Sequence, residues 1–268
     1  MTWLEALLLG ILQGLTEFIP VSSSGHLELG GAIFGLQDPD AFFTFNVMVH
    51  GATFLSVVFV FHKDILQLIQ AVLRFRWDAD MRFVVLLLVS AIPVAVVGLL
   101  FEEQIEAFFS GRIVLVGCML LVTALILFLT RLAPTGNKDL DVKKALLIGI
   151  AQTIAVMPGI SRSGATISAA LYMGVEKAKA VRFSFLMVLI PIFGANFLKI
   201  LRMSEEVQAH TATIDTLPLI VGTIAAFIAG LAACRWMIAI VRKGNISYFS
   251  IYCLIAGLTA IAFGLWGA

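Results

Sequence analysis

The sequence predicts an all-α polytopic membrane protein: six transmembrane helices plus two re-entrant helical hairpins in an inverted-topology repeat. Three observations predict it. Hydrophobic residues make up 60% of the chain and charged residues 13%, with a mean hydropathy of +1.03, which lies outside the range of soluble domains. Residues 10–35, GILQGLTEFIPVSSSGHLELGGAIFG, return as residues 149–174, GIAQTIAVMPGISRSGATISAALYMG. Lysine and arginine gather in alternate connections between the apolar runs, as they do on the cytoplasmic side of membrane proteins.

The repeat sets the frame. Gly10 with Gly149, Gln13 with Gln152, Ser24-Gly25 with Ser163-Gly164 and Gly35 with Gly174 share an offset of 139, whereas Pro20 and Pro158 differ by 138, so the second copy gains one residue inside its break. Each copy is an apolar run cut by proline, serines and glycine before it can cross a bilayer, which takes about 20 residues of helix. Backbone that leaves the helix at membrane depth must be shielded by protein or line a wet cavity, so both breaks are expected inside the bundle. Paired broken helices, one in each half, are the pattern of a site at a repeat interface.

In chain order, MTWLEALLLGILQG has no basic residue ahead of its apolar part and carries Glu5, so it is expected to stay in the mature protein as the first arm of the first hairpin. Full-length spans are expected at 41–61, 83–101 and 113–130 in the first half, and at 183–201, 217–234 and 247–266 in the second. Between the first two spans, Leu66, Leu68, Ile69, Val72 and Leu73 mix with charges in an amphipathic piece at the cytoplasmic interface, with Trp77 as an anchor. Pro93, Pro191 and Pro218 read as tolerable kinks or helix starts. Phe43-Thr44-Phe45 is weakly echoed by Phe183-Ser184-Phe185. The whole chain, 1–268, is expected to form one membrane domain with halves at about 1–131 and 140–268.

Loop charge sets the orientation. Lys63, Arg74, Arg76 and Arg82 after the first span, Arg131, Lys138, Lys143 and Lys144 after the third, Lys177, Lys179 and Arg182 before the fourth, and Arg235, Arg242 and Lys243 between the last two mark the inside. Asp38 and Asp40, Glu102, Glu103 and Glu106 against Arg112, and Glu205, Glu206 and Asp215 against Arg202 mark the outside. The first hairpin then enters from outside and the second from inside, with both termini outside. Cys118, Cys234 and Cys253 lie in apolar runs without metal-ligand spacing and read as packing residues. A net charge of +1 gives no sign of a nucleic-acid partner.

The two breaks carry the chemistry. Gln13 and Glu17 are four residues apart and share a helix face. A carboxylate within an apolar segment costs about 2.5–3.5 kcal/mol to insert and marks a functional site, whereas Glu5 and Glu28 read as surface residues. Ser22, Ser23, Ser24 and Gly25 lead into His26 and a helix start, where hydroxyls and unpaired amides attract phosphate. The second break offers Ser161, Arg162, Ser163, Gly164 and Thr166 in the same arrangement, Arg162 adding a planar fork for phosphate oxygens. Ser24, Ser163 and Ser168 read equally well as ordinary caps. With the hairpins inverted, Glu17, Ser22, Ser23, His26, Ser161, Arg162 and Thr166 would meet. They supply a nucleophile in Ser23 or His26, a proton carrier in His26, a clamp in Arg162 and, in Glu17, a carboxylate to hold a divalent ion or orient water. Phosphoryl chemistry on a lipid fits this set. His50, near Asn46, has a weaker claim to the site, and His62 and His210 read as interface or loop residues.

QGLTEFIPVSSSGH at residues 13–26 and PGISRSGAT at residues 158–166 resemble the two signatures of the undecaprenyl-diphosphate phosphatases, the bacitracin-resistance family. The resemblance, which extends over the whole chain, implies hydrolysis of the C55 isoprenyl diphosphate at the outer face of the bacterial inner membrane, dependent on Mg or Ca ions. It further implies Glu17 with Gln13 for metal and water, Ser23 or His26 for attack and proton transfer, and Arg162 with Ser161, Ser163 and Thr166 for the diphosphate. Gln13 is a neutral variant at its position, which shifts metal binding toward Glu17 and the substrate phosphates. The partners expected are the polyprenyl diphosphate and membrane lipids, with a homodimer as one open oligomeric state.

Two rivals remain. Type-2 phosphatidic acid phosphatases also pair a serine-glycine-histidine turn with serine and arginine, but need a histidine and an aspartate that the residues after Arg162, SGATISAAL, do not supply. A lipid-phosphate or anion transporter would use the same inverted-repeat site, because broken helices at a midplane are transporter architecture.

Overall fold

The computed structural model describes residues 1–36, 38–109, 112–134, 136–194, 216–243 and 245–266. The helices bounded within the described residues are α1 (Trp3–Phe18), α2 (Ser23–Ile33), α3 (Pro39–Val60), α4 (His62–Arg74), α5 (Ala79–Phe109), α6 (Ile113–Leu129), α7 (Val142–Ile154), α8 (Arg162–Tyr172), α9 (Lys177–Met187), α10 (Thr216–Lys243) and α11 (Phe249–Trp266). Among the described residues there is no strand beyond one isolated bridge, Lys138 to Val175. Among the described residues five stretches are long and apolar enough to cross a membrane: Ala41–Val60, Ala79–Phe101, Ile113–Leu132, Thr216–Val241 and Ile246–Trp266. Their surfaces leave Leu55, Leu88, Leu125, Ile228 and Ile255 exposed to the surroundings, as lipid-facing side chains are. The chain is an all-α polytopic membrane protein.

The stretch expected to span at 183–201 differs. It begins earlier, at Lys177, and α9 ends at Met187, turns at Val188 and restarts at 189. Pro191 has no N–H to offer the Met187 carbonyl, so the helix breaks there. The remainder, with the acidic connection Arg202, Glu205, Glu206, His210 and Asp215, lies outside the described residues. Pro93 is carried inside the continuous α5, and Pro218 falls in the first turn of α10. Glu102, Glu103 and Glu106, expected in a loop, belong to the last turns of α5.

Both sequence breaks are helix breaks. Pro20 pushes Ile19 to extended geometry, φ −69° and ψ 137°, which ends α1; Thr2 and Glu5 cap its start reciprocally. Ser22 and Ser161 occupy matching cap positions on α2 and α8, accepting from Gly25 N at 3.4 Å and Gly164 N at 3.1 Å. Gly159, at φ +96°, turns the chain ahead of the second cap, a conformation that glycine adopts without penalty. The charged stretch after the first span forms its own helix, α4, with Leu66, Ile69, Leu73 and the following Trp77 exposed.

Each hairpin packs on the opposite half, α1 along α10 and α7 along α5, while α6 and α11 pack together between them. Small residues allow this. A Cβ on Gly10 would collide with the carbonyl oxygen of Gly222, and one on its repeat partner Gly149 with that of Ser90. Gly117 and Gly257 lie mutually close, a Cβ on either standing 2.9 Å from the other's carbonyl oxygen. The larger core draws on both halves: Phe185 meets Phe18 edge-on at 5.8 Å and Phe61 at 6.0 Å, over a floor of Ile148, Ile167 and Met237.

Candidate active site

Glu17 stands in the last turn of α1, buried, and collects most of the polar groups around it. Gln13, one turn earlier, donates from Nε2 to Glu17 Oε2 at 3.0 Å. Ser23, the first residue of α2, donates to the same oxygen at 2.7 Å. Arg162, the first residue of α8, donates from Nη2 to Oε1. His50 on α3 brings Nε2 to 3.9 Å from Oε2, while its Nδ1 donates to the Asn46 carbonyl. One carboxylate therefore ties the two hairpins and the first span together.

The breaks interlock through backbone as well. Ser22 Oγ accepts from Gly159 N at 3.1 Å, and a Cβ on Gly25 would stand 3.1 Å from the Gly159 Cα. Thr123 of α6 serves the second break from beneath, donating to the Gly159 carbonyl at 2.9 Å and accepting from Ser161 N at 3.0 Å. With these ties the first-turn amides of α2 and α8, which lack intrahelical partners, start close to one another at the end of the carboxylate cluster.

Beside the cluster opens a small cleft lined by the polar Glu17, Arg162, Ser163, Thr53 and Ser184 and the apolar Phe18, Val57, Phe185, Val188 and Ile192. A lining that combines an arginine, a carboxylate and hydroxyls with branched and aromatic side chains suits an amphipathic ligand with an anionic end.

The structure thus brings Gln13, Glu17, Ser23 and Arg162 into direct contact and sets Ser163 in the same cleft. Ser22 and Ser161 are helix caps. Thr166 Oγ1 turns to the Arg162 carbonyl at 2.8 Å and to Ser184 Oγ at 2.5 Å. His26 is held elsewhere: Nδ1 lies 2.8 Å from the Ser22 carbonyl and Nε2 2.8 Å from the Tyr252 hydroxyl, with the rings stacked at 5.6 Å and 13°. A carbonyl only accepts, so Nδ1 carries a proton and, in the neutral ring, Nε2 accepts from Tyr252. Sequence reasoning gave no place to Tyr252, Thr123 or Ser184 and little to His50. Each is one polar group inside an apolar run, and only the packing of α3, α6, α9 and α11 around the hairpins gives them a neighbour.

Ser22 has φ +69°, a conformation worth about 1–3 kcal/mol of strain in a non-glycine residue. Its repeat partner Ser161 is extended, with φ −73° and ψ 119°.

Among the described residues no three His, Cys, Asp or Glu side chains converge, so within them the protein offers no all-protein cage for a divalent cation. It does offer the Glu17 carboxylate and the Gln13 Oε1, a buried oxygen with no hydrogen-bond partner. One carboxylate and one amide oxygen, completed by phosphate oxygens and water, fit Mg.

Residues 6–259 match the family model described as "Bacitracin resistance protein BacA". A protein of Christiangramia forsetii named "Undecaprenyl-diphosphatase" is 50% identical over 262 residues, covering 97% of each chain. One of the same name from Bacteroides fragilis is 45% identical over 97% of this chain and 98% of its own. An "Undecaprenyl-diphosphatase 2" of Bacillus thuringiensis is 37% identical over 97% of both.

Proposed function

The chain belongs to the BacA bacitracin-resistance family, and from that membership we propose that it hydrolyses undecaprenyl diphosphate to undecaprenyl phosphate and inorganic phosphate, recycling the lipid carrier of cell-wall synthesis. The observation that carries the chemistry is the double engagement of Glu17, with Ser23 on one carboxylate oxygen at 2.7 Å and Arg162 on the other.

Ser23 Oγ attacks the terminal phosphorus. Its proton passes to Glu17 Oε2, the Oγ–P bond forms, and the bond from phosphorus to the bridging oxygen breaks, releasing the lipid monophosphate. Glu17 passes that proton to the departing lipid monophosphate and is again a base; water then attacks the phosphoserine and gives a proton to Glu17, which returns it to Ser23 Oγ as the Oγ–P bond breaks and inorganic phosphate leaves. Arg162 and the first-turn amides of α2 and α8 hold the phosphate oxygens as charge moves onto them. Incoming phosphate competes with Glu17 for the Arg162 guanidinium, so binding frees the carboxylate to act as base. Gln13 and Glu17 would hold a Mg or Ca ion together with the diphosphate, and such an ion neutralises phosphate charge. Ser163 faces the phosphates from the cleft; Ser22, Ser161 and Thr166 fix the loops that present them. The isoprenyl chain runs past Val57, Val188 and Ile192.

The hairpins are re-entrant and enter from opposite sides, and the halves, about 1–131 and 140–268, form one domain with six spans, the fourth of them the stretch at 183–201, whose residues 195–201 lie outside the described ones. The matched contacts Gly10 to Gly222 and Gly149 to Ser90 support that reading, because they relate the two halves by exchange. Loop charge supports an orientation with both termini and the mouth of the site outside, in the bacterial inner membrane that the family implies.

The test is phosphate release from a polyprenyl diphosphate by purified protein in detergent, with and without EDTA. Release that stops on chelation is expected. No release, with uptake of the lipid phosphate by proteoliposomes instead, would replace the phosphatase with a carrier.

A further inference from the structure

We propose that Tyr252 is a positioning residue for this reaction, acting through His26 on the Ser22–Ser23 peptide so that Ser23 is held against Glu17; the proposal rests on the phosphatase reading above. Ser22 has a strained backbone, at φ +69°. Its carbonyl accepts twice from the same residue, from the backbone N–H of His26 at 3.2 Å and from its ring Nδ1 at 2.8 Å. That carbonyl belongs to the peptide whose nitrogen is Ser23, the residue that donates to Glu17 at 2.7 Å. The ring can fix the peptide only while it is itself fixed. Tyr252 does this from α11, with its hydroxyl 2.8 Å from Nε2 and its ring stacked at 13° on the imidazole.

The repeat supplies the control. In the second hairpin the cap Ser161 is extended, with φ −73°, and Ala165 stands where His26 stands in the first. The strained cap and the histidine occur together, in the copy that carries the nucleophile. The Ser22 carbonyl requires the proton on Nδ1, and in the neutral ring this leaves Nε2 as an acceptor that the Tyr252 hydroxyl satisfies. Tyr252 is not among the residues lining the cleft, so its loss should leave binding alone.

Tyr252→Phe keeps the ring and removes the hydroxyl. We expect kcat to fall about tenfold, the upper scale for one hydrogen bond, with KM unchanged. His26→Ala should lose far more, while His26→Asn, whose amide N–H can reach the Ser22 carbonyl, should recover a large part of it. Adding Tyr252→Phe to His26→Asn should cost no more than His26→Asn alone. Nitrogen-15 histidine spectra of the intact protein in detergent should show His26 as the Nδ1–H tautomer, with an Nε2 resonance that moves in Tyr252→Phe. An Nε2–H tautomer, a Tyr252→Phe variant changed in KM only, or a His26→Asn variant as inactive as His26→Ala would overturn the proposal while leaving an active parent enzyme a phosphatase. A parent that releases no phosphate removes the reaction itself and the proposal with it.

Discussion

Arg162, at the first position of α8, donates to the carboxylate of Glu17, 145 residues earlier in the chain, and the glutamate is buried. Neither residue is stable alone in that place. A buried charge stripped of its partner costs about 3–5 kcal/mol, whereas removing both charges is far milder. Arg162→Ala should therefore lower the thermal unfolding temperature of the detergent-solubilised protein, and adding Glu17→Gln should restore much of it. Phosphatase activity should not return with the stability, since clamp and base are both gone. Equal unfolding temperatures for the parent and Arg162→Ala would show that the pair is not buried as described.

Close backbone approach between the halves gives a prediction that does not involve the site. Gly10→Ala and Gly149→Ala should each destabilise by about 1–3 kcal/mol through overpacking against Gly222 and Ser90. Gly51→Ala in α3, where a Cβ meets nothing within 4 Å, should be neutral or gain up to about 1 kcal/mol from helix propensity. Thermal unfolding ranks the three, and a destabilised Gly51→Ala beside an unaffected Gly10→Ala would reverse the packing assignment.

Chelation should abolish phosphate release and added Mg should restore it. Gln13→Glu places a second carboxylate one helical turn from Glu17, so half-maximal activation should come at a lower cation concentration. An unchanged cation requirement in Gln13→Glu would remove Gln13 from the ion's surroundings.

Membrane orientation is tested by single cysteines at Glu103 and Lys138 in sealed inverted vesicles. A membrane-impermeant thiol reagent should label position 138 and spare 103. Labelling of both from one side would contradict the inverted arrangement.

The helices and their breaks were legible in the sequence because they follow from local rules. Proline ends α1 at Ile19, serine caps α2 and α8, and a 139-residue offset pairs the hairpins. The contact of Gln13 with Glu17 follows from helical spacing alone. What stayed hidden depends on packing between distant elements. The mutual approach of the breaks at Gly25 and Gly159 turned Ser22 into a tie across the repeat rather than a free hydroxyl. The expectation that carboxylate, arginine and hydroxyls would surround His26 treated all residues of a short loop as neighbours of one point. In α2 the ring of His26 turns back to the Ser22 carbonyl and Tyr252 while Ser23, three residues earlier, faces Glu17. The break in α9 carried a local signal, Pro191, that is equally compatible with the unbroken helix through Pro93.

The central claim is that Ser23 of the first hairpin takes the phosphoryl group while Arg162 of the second holds it. Acid quenching of the purified enzyme during turnover of a polyprenyl diphosphate labelled in its terminal phosphate, followed by peptide mass spectrometry, tests this directly. The account predicts phosphoserine at Ser23 in the parent, and none in Ser23→Ala or Arg162→Ala. Label on His26, or phosphoserine at Ser23 undiminished in Arg162→Ala, would contradict it.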